Sequence, residues 1–312
     1  MRKMMVLVGG LAMLAATARA AGQKSVPLTI VVPEQAEYVP DVARSALDDR
    51  MRRIVNVNGM GATDDAKQFF ITCVLTVTDK QVVAGAPVKI AQKIDATFYV
   101  ADAFNERVFG TATVALRGVG NNENKALIAA VQQLAPSHAA LKSLIRDANA
   151  KILAYYEEQC DNILRKAASL AKARAYEQAF FQLSLVPEEC ACYPRILDAA
   201  DALFQDYIDY RAEKNLAAAR SAWSAGMNRD AALEAAEYLA EILPDAKCYA
   251  QAQELLKEIK ARVKDDIEFD RQLVRWEQEN KAAIIRSWRD IGVAYGNHQQ
   301  PISYTTPGWL LR

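Results

Sequence analysis

The hydrophobic pattern of the chain changes period at Pro136-Ser137, and that change limits the fold more than any other feature. Before it, apolar residues alternate: Phe69, Ile71, Cys73, Leu75 and Val77 in one segment, Ala96, Phe98 and Val100 in the next. After it, they recur at helical spacing, as in Leu141, Leu144, Ile145, Ala148, Ile152, Tyr156, Cys160, Ile163, Leu164 and Ala167. A period of two places successive side chains on opposite faces of a strand, whereas a period near 3.6 lines one face of a helix. The expected fold is therefore α+β. A small amino-terminal domain with an antiparallel sheet backed by helices precedes an all-α, solenoid-like helical-repeat domain.

The first half reads as strand, helix, three strands and helix. Residues 26–32 are a short β-branched run, and residues 40–55 carry Val42, Ala43, Ala46, Leu47, Met51 and Ile54 at helical spacing. Strands are expected over 68–78, 88–100 and 107–116. Gly118 to Asn122 is read as a loop, with Asn121 or Asn122 capping the helix that holds Ala126, Leu127, Ala130, Val131 and Leu134.

The second half opens on a long amphipathic helix over 137–170. A weak internal repeat follows: YEQAFFQLSLVP (176–187) and CYPRILDAADAL (192–203) parallel LEAAEYLAEILP (233–244) and CYAQAQELLKEI (248–259). Pro187 aligns with Pro244, and Cys192-Tyr193 with Cys248-Tyr249. Similarity at a fixed helical period marks stacked helix pairs. A closing helix is expected over 266–294. The tail 299–312 contains Pro301 and Pro307 yet carries Trp309, Leu310 and Leu311, too apolar for an ordinary disordered end.

The amino terminus reads as an export signal over 1–20. Arg2 and Lys3 precede an apolar run, Met4 to Ala16, and Ala18-Arg19-Ala20 places small residues where the peptidase needs them. The mature chain would begin at Ala21 and divide into an α+β domain over 21–136, a helical domain over 137–298 and the tail. No Cys stands at the end of the apolar run, the first being Cys73, so no lipid anchor is expected. Removing Arg2, Lys3 and Arg19 leaves 35 basic against 38 acidic residues, a balance that gives no electrostatic reason for nucleic-acid binding. Five cysteines are too few for a disulfide scaffold, and their odd number leaves at least one unpaired or paired between chains. Cys190-Ala-Cys192 lacks the spacing of a redox motif and reads as buried or loop thiols.

Little in the chain carries catalytic chemistry. His138 and His298 are its two histidines, and neither has an acidic partner at helical spacing; both read as solvated. There is no GxSxG elbow and no phosphate loop. Glu123 stands where Gly118-Val-Gly120 would need a third glycine to bind a dinucleotide, so these glycines read as turn formers. Asp64-Asp65, Glu188-Glu189 and Asp265-Asp266 read as acids at helix or loop ends, where an acid at a helix start favours the macrodipole, rather than as catalytic carboxylate pairs. No catalytic, cofactor-binding or metal-ligating residue is expected. The candidate partner-binding residues are Trp309, Leu310, Leu311, Tyr193 and Tyr207, tail and helix residues with large apolar surfaces.

The segments 41–55, 68–77 and 118–134, in that order, resemble the α/β domain of the curli secretion-channel family and the amino-terminal domain of TolB. The likeness covers about 110 residues and lies in element order. The second half resembles tetratricopeptide-type helix pairs. These resemblances imply an envelope location and protein–protein contact, and carry no functional residue over. The expectation is a non-enzymatic exported scaffold or adaptor in the periplasm of a Gram-negative cell. Peripheral attachment to the outer membrane is left open. The expected partners are other envelope proteins, homo-oligomers among them, with no nucleic acid and no cofactor. The alternatives are a ring-forming subunit of a secretion or assembly complex and a periplasmic hydrolase.

Overall fold

The computed structural model describes residues 25–32, 39–63, 68–263, and 271, 272, 274 and 275. The signal segment, most of the closing helix, His298 and the tail with Trp309, Leu310 and Leu311 lie outside the described residues.

The strands and helices of the first part are β1 (Leu28–Val31), α1 (Asp41–Val57), β2 (Ala62–Thr63), β3 (Phe69–Val83), β4 (Lys89–Asp102), β5 (Arg107–Gly120) and α2 (Glu123–Val131). They form one sheet in the order β2-β1-β3-β4-β5, with helices on one face. The expected antiparallel arrangement holds for β3, β4 and β5. It fails for β1, which runs parallel to both β2 and β3. The cause is α1: a helical crossover returns the chain in the same direction, whereas a tight hairpin reverses it.

The helix-facing row is the alternating set that the sequence displays. Ile71 lies opposite Val100, Cys73 opposite Phe98 and Leu75 opposite Ala96, and all six are buried. The reverse face of β5 shows Thr111, Thr113, Ala115 and Arg117 to solvent. Beyond Val77 the β3–β4 ribbon outruns its helices, leaving Val82 and Val88 exposed.

The reading of Gly118 to Gly120 as a loop is corrected: both glycines belong to β5. They serve as floor beneath a helix. A Cβ on Gly118 would overlap the carbonyl oxygen of Ala126 in α2, and one on Gly120 would crowd Lys125 and the Ala126 N–H. The cap falls on Asn122, whose side chain accepts from the Lys125 N–H at 2.8 Å.

The helical part comprises α3 (Ala139–Lys172), α4 (Tyr176–Ser184), α5 (Tyr193–Gly226), α6 (Arg229–Ala240) and α7 (Tyr249–Arg262). Pro187 and Pro244 occupy corresponding turns, while Cys192 and Cys248 hold the N-cap positions of α5 and α7. The turns share backbone bonds: Cys190 N–H to Pro187 C=O at 3.1 Å matches Ala246 N–H to Leu243 C=O at 3.0 Å. Each long helix ends next to a residue in the left-handed region, Arg174 after α3 and Met227 after α5.

Pro136 ends the strand pattern without ending the core. A single buried cluster runs from Val26 through the sheet, α1, α2, α3 and α4 to Leu203 in α5. A second begins at Ile208 and ends at Ile259. The division of buried side chains thus falls inside α5, and α3 is as much a layer of the sheet domain as the start of the helical one. The Asn149 side chain in α3 accepts from the Val26 N–H at 2.9 Å, tying the helix to the segment that enters β1.

Candidate functional site

The place where sheet and helical hairpins meet holds a cleft of about 740 Å³. Its floor is Val26 and Phe69 from the sheet side. Its walls are Phe180, Phe181 and Leu183 of α4 and Ile196, Leu197 and Ala200 of α5. The α4–α5 turn brings Glu188 and Glu189 to it, and Tyr193 stands at the first residue of α5. Burial, followed by the charges of Glu188 and Glu189, pushes the Tyr193 phenol above its ordinary pKa. Glu188 is exposed at the rim and Glu189 is half-buried.

Gln68 closes the inner end. Its amide nitrogen donates to the Tyr156 hydroxyl at 2.7 Å and to the Leu185 carbonyl at 2.9 Å. The Tyr156 hydroxyl also accepts from the Asn105 amide at 2.7 Å and donates to the Asp102 carboxylate. Asp102 is fully buried and further accepts from the Phe104 and Asn105 N–H groups at 2.9 and 3.1 Å. Burial, then the Asp102 charge, drives the Tyr156 phenol strongly upward, so it keeps its proton at any physiological pH. This network uses its polar atoms to hold the β4–β5 turn against α3.

Of Tyr193 and Tyr207, both singled out from the sequence, the first lines the cleft and the second packs against a residue that does. Tyr193 lines the cleft, as does Phe180, and the Phe180 ring centroid is 6.4 Å from that of Tyr207. Tyr207 belongs to a platform with Tyr176 (5.5 Å), and Tyr176 stacks in turn near Tyr210 (5.4 Å). Arg174 sits 4.9 Å over the Tyr210 ring, and Arg211 and Lys214 approach Tyr207 and Tyr210. Glu188 and Glu189 lie in the turn before α5, within the expectation of a helix or loop end, and both line the cleft. The signal for this was present, because residues 184–193 hold two acids and no base.

His138 is exposed and caps α3, its Nδ1 accepting from the Ala140 N–H at 3.3 Å. The cysteine reading is corrected in one respect: Cys192 is in a disulfide with Cys160, with Cα atoms 6.6 Å apart. Cys160 faces the amino-terminal end of α5 from the buried stripe of α3, which brings the two within bonding reach. Cys73, Cys190 and Cys248 are buried thiols. Among the described residues no cluster of His, Cys, Asp or Glu is placed to hold a metal ion, and no helix is long and apolar enough to cross a membrane.

Fold and site together define a class: a mixed-sheet α+β module extended by helical hairpins, with an apolar, acid-rimmed cleft at the junction. No family model and no curated protein matches the chain. Among solved structures, a minor lipoprotein from Acinetobacter baumannii matches at 14% identity, covering 40% of this chain and 86% of that one, with a TM-score of 0.22. A superposition that loose carries no argument about this chain.

Proposed function

We propose that this chain is an exported scaffold or adaptor of the cell envelope that works by binding other proteins and performs no catalysis. The observation that carries the reading is the cleft. It is open, mostly apolar and set beside a tyrosine platform, at the point where helical hairpins leave the sheet. Helical-hairpin proteins bind partners on surfaces of this kind, and tyrosine is enriched in binding interfaces because its ring is large and costs little entropy to fix. Behind Gln68, the Tyr156 hydroxyl and the Asp102 carboxylate are engaged in internal hydrogen bonds, which favours a structural role for that pair.

Export is supported by the signal-like segment 1–20 and by the Cys160–Cys192 disulfide, a bond that persists in oxidising compartments. The test is made in intact cells. A photo-crosslinking residue at Tyr193 or Tyr207 should give one discrete adduct in the envelope fraction, and the mature protein should begin at Ala21. A chain that retains Met1 in the cytoplasm, or gives no adduct from either position, would refute the reading.

A further inference from the structure

We propose that the cleft between the sheet and α4–α5 receives a partner's peptide segment in which an apolar side chain stands next to a lysine or arginine. The proposal rests on the scaffold reading above and names the chemistry of what the cleft takes.

The walls decide the body of the ligand. Phe69, Phe180, Phe181, Leu183 and Ile196 offer aromatic and branched aliphatic surface, and Leu197 stands half-exposed at the lip. A volume of about 740 Å³ lies within the range in which pockets enclose a ligand of several side chains. At the inner end, the amide nitrogen of Gln68 is spent on Tyr156 and Leu185, which leaves its carbonyl oxygen to accept from a peptide N–H.

The charge at the mouth decides the neighbour. Among the described residues, Glu188, Glu189 and Tyr193 are the ionisable groups lining the cleft, and none is a base. Neither glutamate forms a hydrogen bond or an ion pair among the described residues. The corresponding turn before α7 is built differently. Where the first turn has Ala191, the second has Lys247, whose ammonium lies 2.8 Å from the Asp209 carboxylate. The nearest arginine after the first turn, Arg195, is paired with Asp161 at 2.6 Å. Two uncompensated carboxylates beside an apolar opening repel anions. They attract a cation held next to an apolar anchor.

The experiment titrates the full mature chain, followed by nuclear magnetic resonance, with three capped pentapeptides. One carries phenylalanine, leucine and lysine between glycines. The second replaces the lysine by glutamate, and the third keeps the lysine on an all-glycine body. The first should saturate, and the other two should bind at least tenfold more weakly. In the double variant Glu188→Gln/Glu189→Gln, whose side chains hold no internal partner, the first peptide should lose about tenfold and the preference for lysine should vanish. Leu197→Ser should weaken the first peptide several-fold with the charge preference kept. Equal binding of the lysine and glutamate peptides, saturation by none of them, or unchanged binding in the charge-free variant overturns the proposal. So does binding that emerges only after residues 276–312 are removed, because the cleft would then belong to the chain's own tail. An adduct in cells without peptide binding in solution would leave the scaffold reading standing and remove this one.

Discussion

The Tyr156 hydroxyl takes two hydrogen bonds and gives one, all to groups far away in sequence. Its place in the apolar stripe of α3 predicts a buried ring, and the ring is buried. Its partners were not legible, because Asp102 ends a strand 54 residues earlier and nothing local distinguishes it from a surface aspartate. Tyr156→Phe would keep the packing and take one hydrogen-bond partner from each of three groups that keep others, so it should cost about 1.5–4.5 kcal/mol, at roughly 0.5–1.5 kcal/mol for each bond lost. Denaturant unfolding measures this, and a change below about 0.5 kcal/mol, the range typical of neutral surface substitutions, would contradict it.

Asp209 gives a pH dependence whose sign can be worked out. Burial pushes its carboxyl up, but hydrogen bonds from the Lys247 ammonium and backbone N–H, with the ammonium's charge, outweigh that and hold it below the ordinary carboxylate range. A depressed folded pKa means that the pair stabilises above the unfolded value, about 3.9, and that this is lost as pH falls through the folded value. Asp209→Asn should therefore weaken the protein at neutral pH and flatten the acid limb of its stability profile below about pH 4. An acid limb identical to that of the parent would exclude the pair as a contributor.

At the scale of elements, the two periodicities locate β1, β3, β4, β5, α1, α2 and α3 but not the full length of α5, and Pro187 and Pro244 both fall between helices. What sequence could not supply was which elements lie over which. Gly118 illustrates the point. A glycine before a helix reads as a turn former, yet here it is the close floor beneath α2. Gly118→Ala must push the backbone of α2 aside and should cost about 1–3 kcal/mol or more, the usual range for overpacking. Gly61→Ala, where a Cβ meets nothing within 4 Å, should be close to neutral. Equal melting temperatures for the two variants would show that α2 does not approach β5 as described. The Cys160–Cys192 bond is likewise an element-level constraint, closing α4 between α3 and α5 over 32 residues. Reducing it should lower stability by about 3–4 kcal/mol on the chain-entropy account, with the loss centred on the cleft that α4 and α5 wall. Hydrogen exchange in α4 before and after reduction reads this out.

For the whole molecule, the question is what folds as a unit. The periodicity suggests a cut at Pro136, since the chemistry of the pattern changes there. The packing suggests another, since a helix read as the start of the second domain provides one layer of the first. Leu141, Leu144, Ile145, Ile152 and Tyr156 of α3 are all buried in the cluster that includes Ile71, Phe98 and Val114 of the sheet. At about 1.5–3 kcal/mol for each large apolar side chain, five of them amount to roughly 7–15 kcal/mol. That equals the net stability of an ordinary domain, about 5–15 kcal/mol. A fragment of residues 25–136 would lose this layer and the Asn149 and Tyr156 bonds together, and expose the apolar face of β5 and β4. It should therefore bind a hydrophobic dye and melt without a cooperative transition. A fragment of residues 25–226, which keeps α3, α4 and the whole of α5, should unfold cooperatively. The comparison is direct by calorimetry and dye binding on the two fragments. A sharp transition in the shorter one would return the boundary to Pro136 and make α3 a helix that merely leans on the sheet.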